Sequence, residues 1–193
     1  MTRLRLSVAL VVLVLLGTPW ADAAAQRTAA EVATTRQRAE QGDAAAQDNL
    51  GLMYNRGDGV PQDDAQAVAW FRKAADQGYA PAQARVGLRH RFGLGVPQDY
   101  TEAIRWYRKA ADQGHSYAQY SLGVMYGSGE GVPQDYVESH KWVNLAAARA
   151  TGDDQKQFAE RRDALGKVMT AAQVAEAQQR ASEWQAAFDA RQE

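Results

Sequence analysis

The sequence predicts an all-α fold, a stacked array of helix-turn-helix units, and three observations carry that prediction. The pentapeptide GVPQD occurs three times, at Gly59–Asp63, Gly95–Asp99 and Gly131–Asp135, with successive copies 36 residues apart. Repetition at a fixed interval of that size marks one supersecondary unit copied along a chain. On either side of each copy, apolar residues recur at helical spacing: Ala46, Leu50, Met53 and Tyr54 before the first, and Ala67, Val68, Trp70, Phe71 and Ala74 after it. Composition agrees. Alanine, glutamine, arginine and glutamate are frequent and isoleucine is almost missing, a balance that favours helix over strand.

The units read from Ala44 to Tyr79, from Ala80 to His115 and from Ser116 onward, and several columns do not change: Gln47/Gln83/Gln119, Gly51/Gly87/Gly123 and Trp70/Trp106/Trp142. Within each unit the first helix should end at a left-handed glycine, Gly57, Gly93 or Gly129, the residue for which that backbone costs least. The proline of GVPQD cannot continue a helix and extends the backbone before it. Its aspartate then opens the second helix, and Gln66, Glu102 and Glu138 three residues on predict a reciprocal capping box. Gly78 and Gly114 end the second helices. The invariant glycine in the middle of each first helix costs roughly 0.8–1.0 kcal/mol against alanine. It is expected to let the partner helix approach, seating a tryptophan or an alanine pair opposite. A phosphate-binding loop is a poor alternative for the GxG segments, because no strand precedes them and no G-K-[ST] follows.

The combined pattern LGxMY…GxGVPQDYxxAxxWYxKAAxQG resembles the Sel-1-like repeat, a relative of the tetratricopeptide repeat, over roughly residues 44–150. The resemblance implies an α/α superhelical solenoid that acts as a protein-interaction scaffold, often in secreted or periplasmic bacterial proteins. Some cysteine-rich secreted members are associated with penicillin binding and weak β-lactamase activity. A cell-wall or β-lactam-interacting enzyme is therefore the alternative, and the absence of cysteine here speaks against it.

The flanks depart from the repeat. MTRLR, the apolar run Leu6–Gly17 and the small residues of ADAAAQ form the layout of a secretory signal, with cleavage after Ala23 or after Ala25. The run is too short to cross a bilayer, and an uncleaved anchor is the rival reading. The expected organisation is a signal over 1–25, a capping helix over 26–43, repeats over 44–79, 80–115 and 116–152, and capping helices over 153–193. Thr28 and Glu31 suggest a T-x-x-E start for the N-terminal cap. In the third unit the second helix should run about two residues longer. Two more helices follow, near Asp154–Val168 and Ala171–Ala190, the last carrying the stripe Val174, Ala177, Ala181, Trp184 and Phe188 behind a box from Thr170 to Gln173. The mature chain is expected in the periplasm or secreted, as a monomer with no membrane attachment.

Charge and residue chemistry narrow the function. Lys and Arg number 22 against 23 Asp and Glu, so no nucleic-acid partner is implied. Without cysteine there are no disulfides, thiolate metal sites or thiol nucleophiles. His140 falls in the apolar column of Val68 and Ile104, His90 in that of Tyr54 and Tyr126, and no two histidines have metal-ligand spacing. Asp63–Asp64 and Asp153–Asp154 sit at helix starts, where capping explains them. Ser128 in GSGEG is not a nucleophile elbow. These features predict a protein that is not an enzyme and needs no cofactor or metal.

Binding is the expected role, with a protein or peptide as partner. Resemblance to tetratricopeptide-type repeats places the first helices along a concave groove, lined by Ala45, Asp48, Leu52, Asn55 and Arg56, then Pro81, Ala84, Leu88, Arg91 and Phe92, then Tyr117, Tyr120, Val124 and Ser128. Leu88, Arg91, Phe92, Tyr117 and Tyr120 are the candidate contact residues, since aromatics and arginine are enriched where binding energy concentrates. Filling the contacts between units is the competing role for the same side chains.

Overall fold

A computed structural model describes residues 19–193, and the expected signal run Leu6–Gly17 lies outside them. Nine helices and no strand occur among the described residues: α1 Pro19–Glu40, α2 Ala44–Arg56, α3 Asp64–Asp76, α4 Ala80–Phe92, α5 Tyr100–Ala111, α6 Ser116–Ser128, α7 Tyr136–Arg149, α8 Gly152–Gly166 and α9 Ala171–Asp189. The pairs α2–α3, α4–α5 and α6–α7 are the three repeat hairpins, and each hairpin packs on the next through α3–α4 and α5–α6. No helix among the described residues is long and apolar enough to cross a membrane.

GVPQD is a corner whose glutamine and aspartate both have hydrogen-bond partners. The first helix ends at Gly93 with φ 67°, and the Gly93 and Leu94 N–H groups donate to the Arg89 carbonyl. Gln98 Nε2 then donates to the Arg91 carbonyl at 2.8 Å, as Gln62 does to Asn55 and Gln134 to Gly127. These bonds satisfy carbonyls that a helix end leaves open. The aspartate caps the second helix: Asp63 accepts from Gln66 N–H, Asp99 from Glu102 N–H and Asp135 from Glu138 N–H. Such a cap contributes about 1 kcal/mol.

The expected reciprocal half of that box does not form. The Asp63, Asp99 and Asp135 N–H groups donate instead to the Tyr54, His90 and Tyr126 carbonyls of the preceding helix, each at 2.9 Å. Glu102 and Glu138 are thereby free to pair with Arg105 and with Lys141 and Arg180. The corner also docks one unit on the one before: a Cβ on Gly95 (φ +75°) would lie 2.4 Å from the Asp64 carbonyl oxygen of the previous hairpin.

The mid-helix glycine does permit close approach, but its neighbour is neither the tryptophan nor the alanine pair. A Cβ on Gly51 would lie 2.6 Å from Phe71, one on Gly87 2.8 Å from Tyr107, and one on Gly123 2.5 Å from Val143. These are the residues that follow the tryptophans. One helical step turns the side chain by about 100°, so the tryptophan faces elsewhere. Trp106 packs with Phe71, Ala74, Ala75, Ala82 and Val86, which belong to the preceding hairpin and to the α4 helix that joins it. Each unit thus closes its own hairpin with Phe71, Tyr107 or Val143, and closes the junction to its neighbour with the indole.

The invariant glutamines bind the units from inside. Gln47, Gln83 and Gln119 are buried, and their Nε2 atoms donate to the Ala39, Ala75 and Ala111 carbonyls at 3.0, 3.1 and 3.2 Å. Those carbonyls lie in the last turns of α1, α3 and α5, so each first helix is tied to the helix before it. Gln77 and Gln113 then donate to Gln47 and Gln83 Oε1 at 2.7 and 2.8 Å. In the third unit the corresponding residue is Arg149, which turns to Gln185 and to the rings of Trp184 and Phe188. Gln119 Oε1 is left buried without a partner.

Both ends follow from these rules. The Gln47–Ala39 bond ties α2 to α1 just as Gln83 and Gln119 tie α4 to α3 and α6 to α5. The expected T-x-x-E start of α1 is absent, because the helix already runs from Pro19 through Thr28. At the other end α7 stops at Arg149, one residue past the equivalent of Asp76 and two past that of Ala111. Both α8 and α9 pack on α7. The Thr170–Gln173 box opens α9, whose Ala177 and Ala181 are buried and whose Trp184 meets Trp142 edge-on at 6.0 Å.

Candidate functional site

The first helices bring a run of aromatic and charged side chains together around Arg91. Each of these helices is closed on its inner side by the mid-helix glycine contact, and Phe92, five positions past Gly87, and Tyr117, six before Gly123, are turned away from it. Phe92, at the C-terminus of α4, is 54% exposed, Tyr117, in the first turn of α6, 41%, and Leu94, in the α4–α5 corner, 38%. The Arg91 guanidinium lies 5.0 Å from the centre of the Phe92 ring, and Tyr117 is near it as well.

Arg91 itself is already engaged. It forms a two-pronged pair with Glu130 at 2.8 and 3.2 Å, and its side chain is only 14% exposed. The guanidinium holds the Glu130 carboxyl below its ordinary range, helped by the Ser128 hydroxyl at 3.0 Å. Beneath this pair, burial pushes the Tyr107 hydroxyl far above its ordinary range. The neighbouring Arg85 is likewise engaged with buried Asp48 at 2.9 Å. Burial raises the Asp48 carboxyl, with Arg85 acting against that shift. The surface is therefore nearly neutral, although arginines line it.

The five sequence-predicted contact residues divide accordingly. Phe92 and Tyr117 project into solvent. Leu88 packs against the core cluster of Tyr107, Leu122 and Met125. Tyr120 stacks on Phe158 of α8, with ring centres 4.2 Å apart and planes 15° from parallel. Arg91 joins the second unit to the third through Glu130. Of the wider groove, Asp48 and Ala84 are buried. Leu94 belongs to the exposed group and sequence reasoning passed over it. Its signal was a leucine in a column otherwise filled by Asp58 and Glu130.

The other candidates for chemistry are structural. Asp63 caps α3, and Asp64 bonds Asn55 and pairs with Arg89 across the unit boundary. Ser128 lies against the Val124 carbonyl and Glu130. His90 and His140 are buried, and burial holds the His140 imidazole below its ordinary value. Among the described residues, no cluster of three or more histidine, aspartate or glutamate side chains is arranged to hold a metal ion.

Comparison with known proteins agrees with this architecture. The sequence pattern of the Sel1 repeat matches residues 44–79, 80–115 and 116–150, together more than half of the chain. No curated protein sequence matches at a significant level. Among solved structures the chain is similar to c5321, described as a protective antigen present in uropathogenic Escherichia coli strains and displaying an SLR fold. The TM-score is 0.62 and the identity 48%, over 65% of this chain and 27% of that one. It is also similar to a Sel1 repeat protein from Oxalobacter formigenes, with TM-score 0.57 and 36% identity over 61% of this chain and 49% of that one. This chain spans less than half the length of either protein. With three consecutive repeats matched and the same corner built three times over, the chain belongs to the Sel1 repeat family.

Proposed function

We propose that the chain is a non-catalytic, extracytoplasmic scaffold that docks a protein or peptide on the face formed by its first helices, with Phe92, Leu94 and Tyr117 as anchors. Sel1 repeat arrays generally serve as interaction scaffolds, and exposed Phe92 and Tyr117 beside the Arg91–Glu130 pair, with exposed Leu94 two positions along the chain from Phe92, carry the reading here. Scattered surface apolar residues need no explanation, but a group of them on a rigid frame suits recognition. The internal Arg91–Glu130 and Asp48–Arg85 pairs neutralise the face, so the partner supplies apolar or aromatic side chains rather than a carboxylate or phosphate. A location outside the cytoplasm rests on the signal-like N-terminal sequence. The description of c5321 as a protective antigen fits the same placement.

Affinity capture from the source organism tests this. The double variant Phe92→Ala with Tyr117→Ala should lose the captured partner while melting within a few degrees of the parent, since both side chains are exposed. Partner retention at parental levels by a folded double variant rejects the docking face. Tyr120→Ala is unsuitable for this purpose, because losing the Phe158 stack destabilises the α6–α8 region.

A further inference from the structure

We infer that His115 is an acid-released cap on the helix that presents Tyr117: its neutral imidazole holds the first turn of α6, and protonation lets that turn go. The three first helices begin differently. Asp43 accepts from the Ala46 N–H at 2.9 Å, Tyr79 gives no side-chain cap, and His115 Nδ1 accepts from the Ala118 N–H at 3.3 Å. The His115 bond needs a lone pair on Nδ1, so the ring proton sits on Nε2. An imidazolium has no acceptor, and its positive charge at a helix N-terminus opposes the macrodipole.

The surroundings also oppose the charged form. Burial holds the His115 imidazole below its ordinary value and Arg85 of α4 acts in the same direction, together outweighing a hydrogen bond to its own backbone that favours the charged form. Arg149 of α7 lies beside the adjacent Gly114, with its Nε 3.3 Å from where a Cβ would stand, and uncharged Phe188 of α9 covers the same spot. Two acidic groups lie toward this corner, Asp112 at the end of α5 and Asp189 of α9, which acts on Arg149, and both are exposed. With the folded value depressed, the capped form is complete above the ordinary histidine value of 6.5 and is lost as pH falls through the lower folded value. The Glu130 carboxyl, held below its ordinary 4.5 chiefly by Arg91, stays charged through this window. The Arg91–Glu130 pair therefore persists while the turn carrying Tyr117 loosens.

The consequence for docking rests on the proposed function, whereas the cap itself does not, and the test needs no partner. Isotope-labelled full chain is titrated by NMR from about pH 7.5 to about pH 5, across the ordinary histidine range. His115 should show the Nε2–H tautomer at the upper end and a midpoint below 6.5. The protection factor of the Ala118 amide should fall about fivefold as His115 protonates, the scale of a lost N-cap. His115→Asn, which caps without titrating, should abolish that fall, so an effect arising from His90 or His140 is told apart. The proposal is overturned by a midpoint at or above the ordinary value, by protection unchanged through the titration, or by an equal fall in the Asn variant.

Discussion

Gly87→Val lowers the melting temperature of the chain by roughly 6–12 °C. The expectation follows from a single contact: a Cβ at this position would lie 2.8 Å from Tyr107 Cδ1 and 3.0 Å from Cε1 and Cγ. The Tyr107 ring is fully buried and cannot swing into solvent, so α4 and α5 must separate. Overpacking of this kind costs about 1–3 kcal/mol, with a β-branched side chain at the upper end. For a chain of this size each kcal/mol moves the melt by about 2–4 °C. Gly166 provides the control, since a Cβ there meets nothing within 4 Å and its φ is not left-handed. Gly166→Ala should leave the melt unchanged or raise it slightly. Equal behaviour of the two variants in thermal circular dichroism would show that the invariant glycine is not a packing device.

The glutamine column yields the second large effect, and it comes with an internal ranking. Gln83→Leu removes the bond to the Ala75 carbonyl and the acceptor of Gln113 Nε2. Two side-chain hydrogen bonds are lost, at about 0.5–1.5 kcal/mol each, while the Ala75 carbonyl keeps the Gly78 N–H at 3.0 Å, and the melt should drop by roughly 2–12 °C. Gln119→Leu loses the bond to the Ala111 carbonyl as well, but it also removes an Oε1 that already lacks a partner. It should therefore be the milder of the two. The reverse order in parallel melts would mean that the clasp between Gln113 and Gln83 contributes nothing.

How much of this was legible in the sequence depends on the range of the interaction. Helix ends, the corner and the αL glycines rest on local backbone chemistry, and GVPQD spelled them out. Contacts between helices were less legible. The need for a glycine at 51, 87 and 123 was readable, yet the facing residue was misassigned to the tryptophan or an alanine pair, because the spacing does not say which hairpin a side chain faces. The reciprocal capping box failed for a related reason: the Asp63, Asp99 and Asp135 N–H groups found carbonyls of the previous helix, a partner no local motif contains. The Gln47, Gln83 and Gln119 column stood out as unchanging, but its role needed the bonds to Ala39, Ala75 and Ala111 in space. At the candidate docking face, column position placed Phe92 and Tyr117 on the surface of the first helices. It could not separate them from Leu88, Tyr120 and Arg91, whose partners Phe158 and Glu130 lie in other units.

The central claim is that no hairpin holds itself together: Trp106 fills the junction with the previous unit, and Gln83 and Gly95 dock on it. Urea denaturation of a peptide spanning residues 80–115 alone, followed by circular dichroism, tests this most directly. The account predicts weak helicity that fades without a sigmoidal transition, while the intact array unfolds cooperatively. A sharp, cooperative transition from a fully helical isolated hairpin would contradict it.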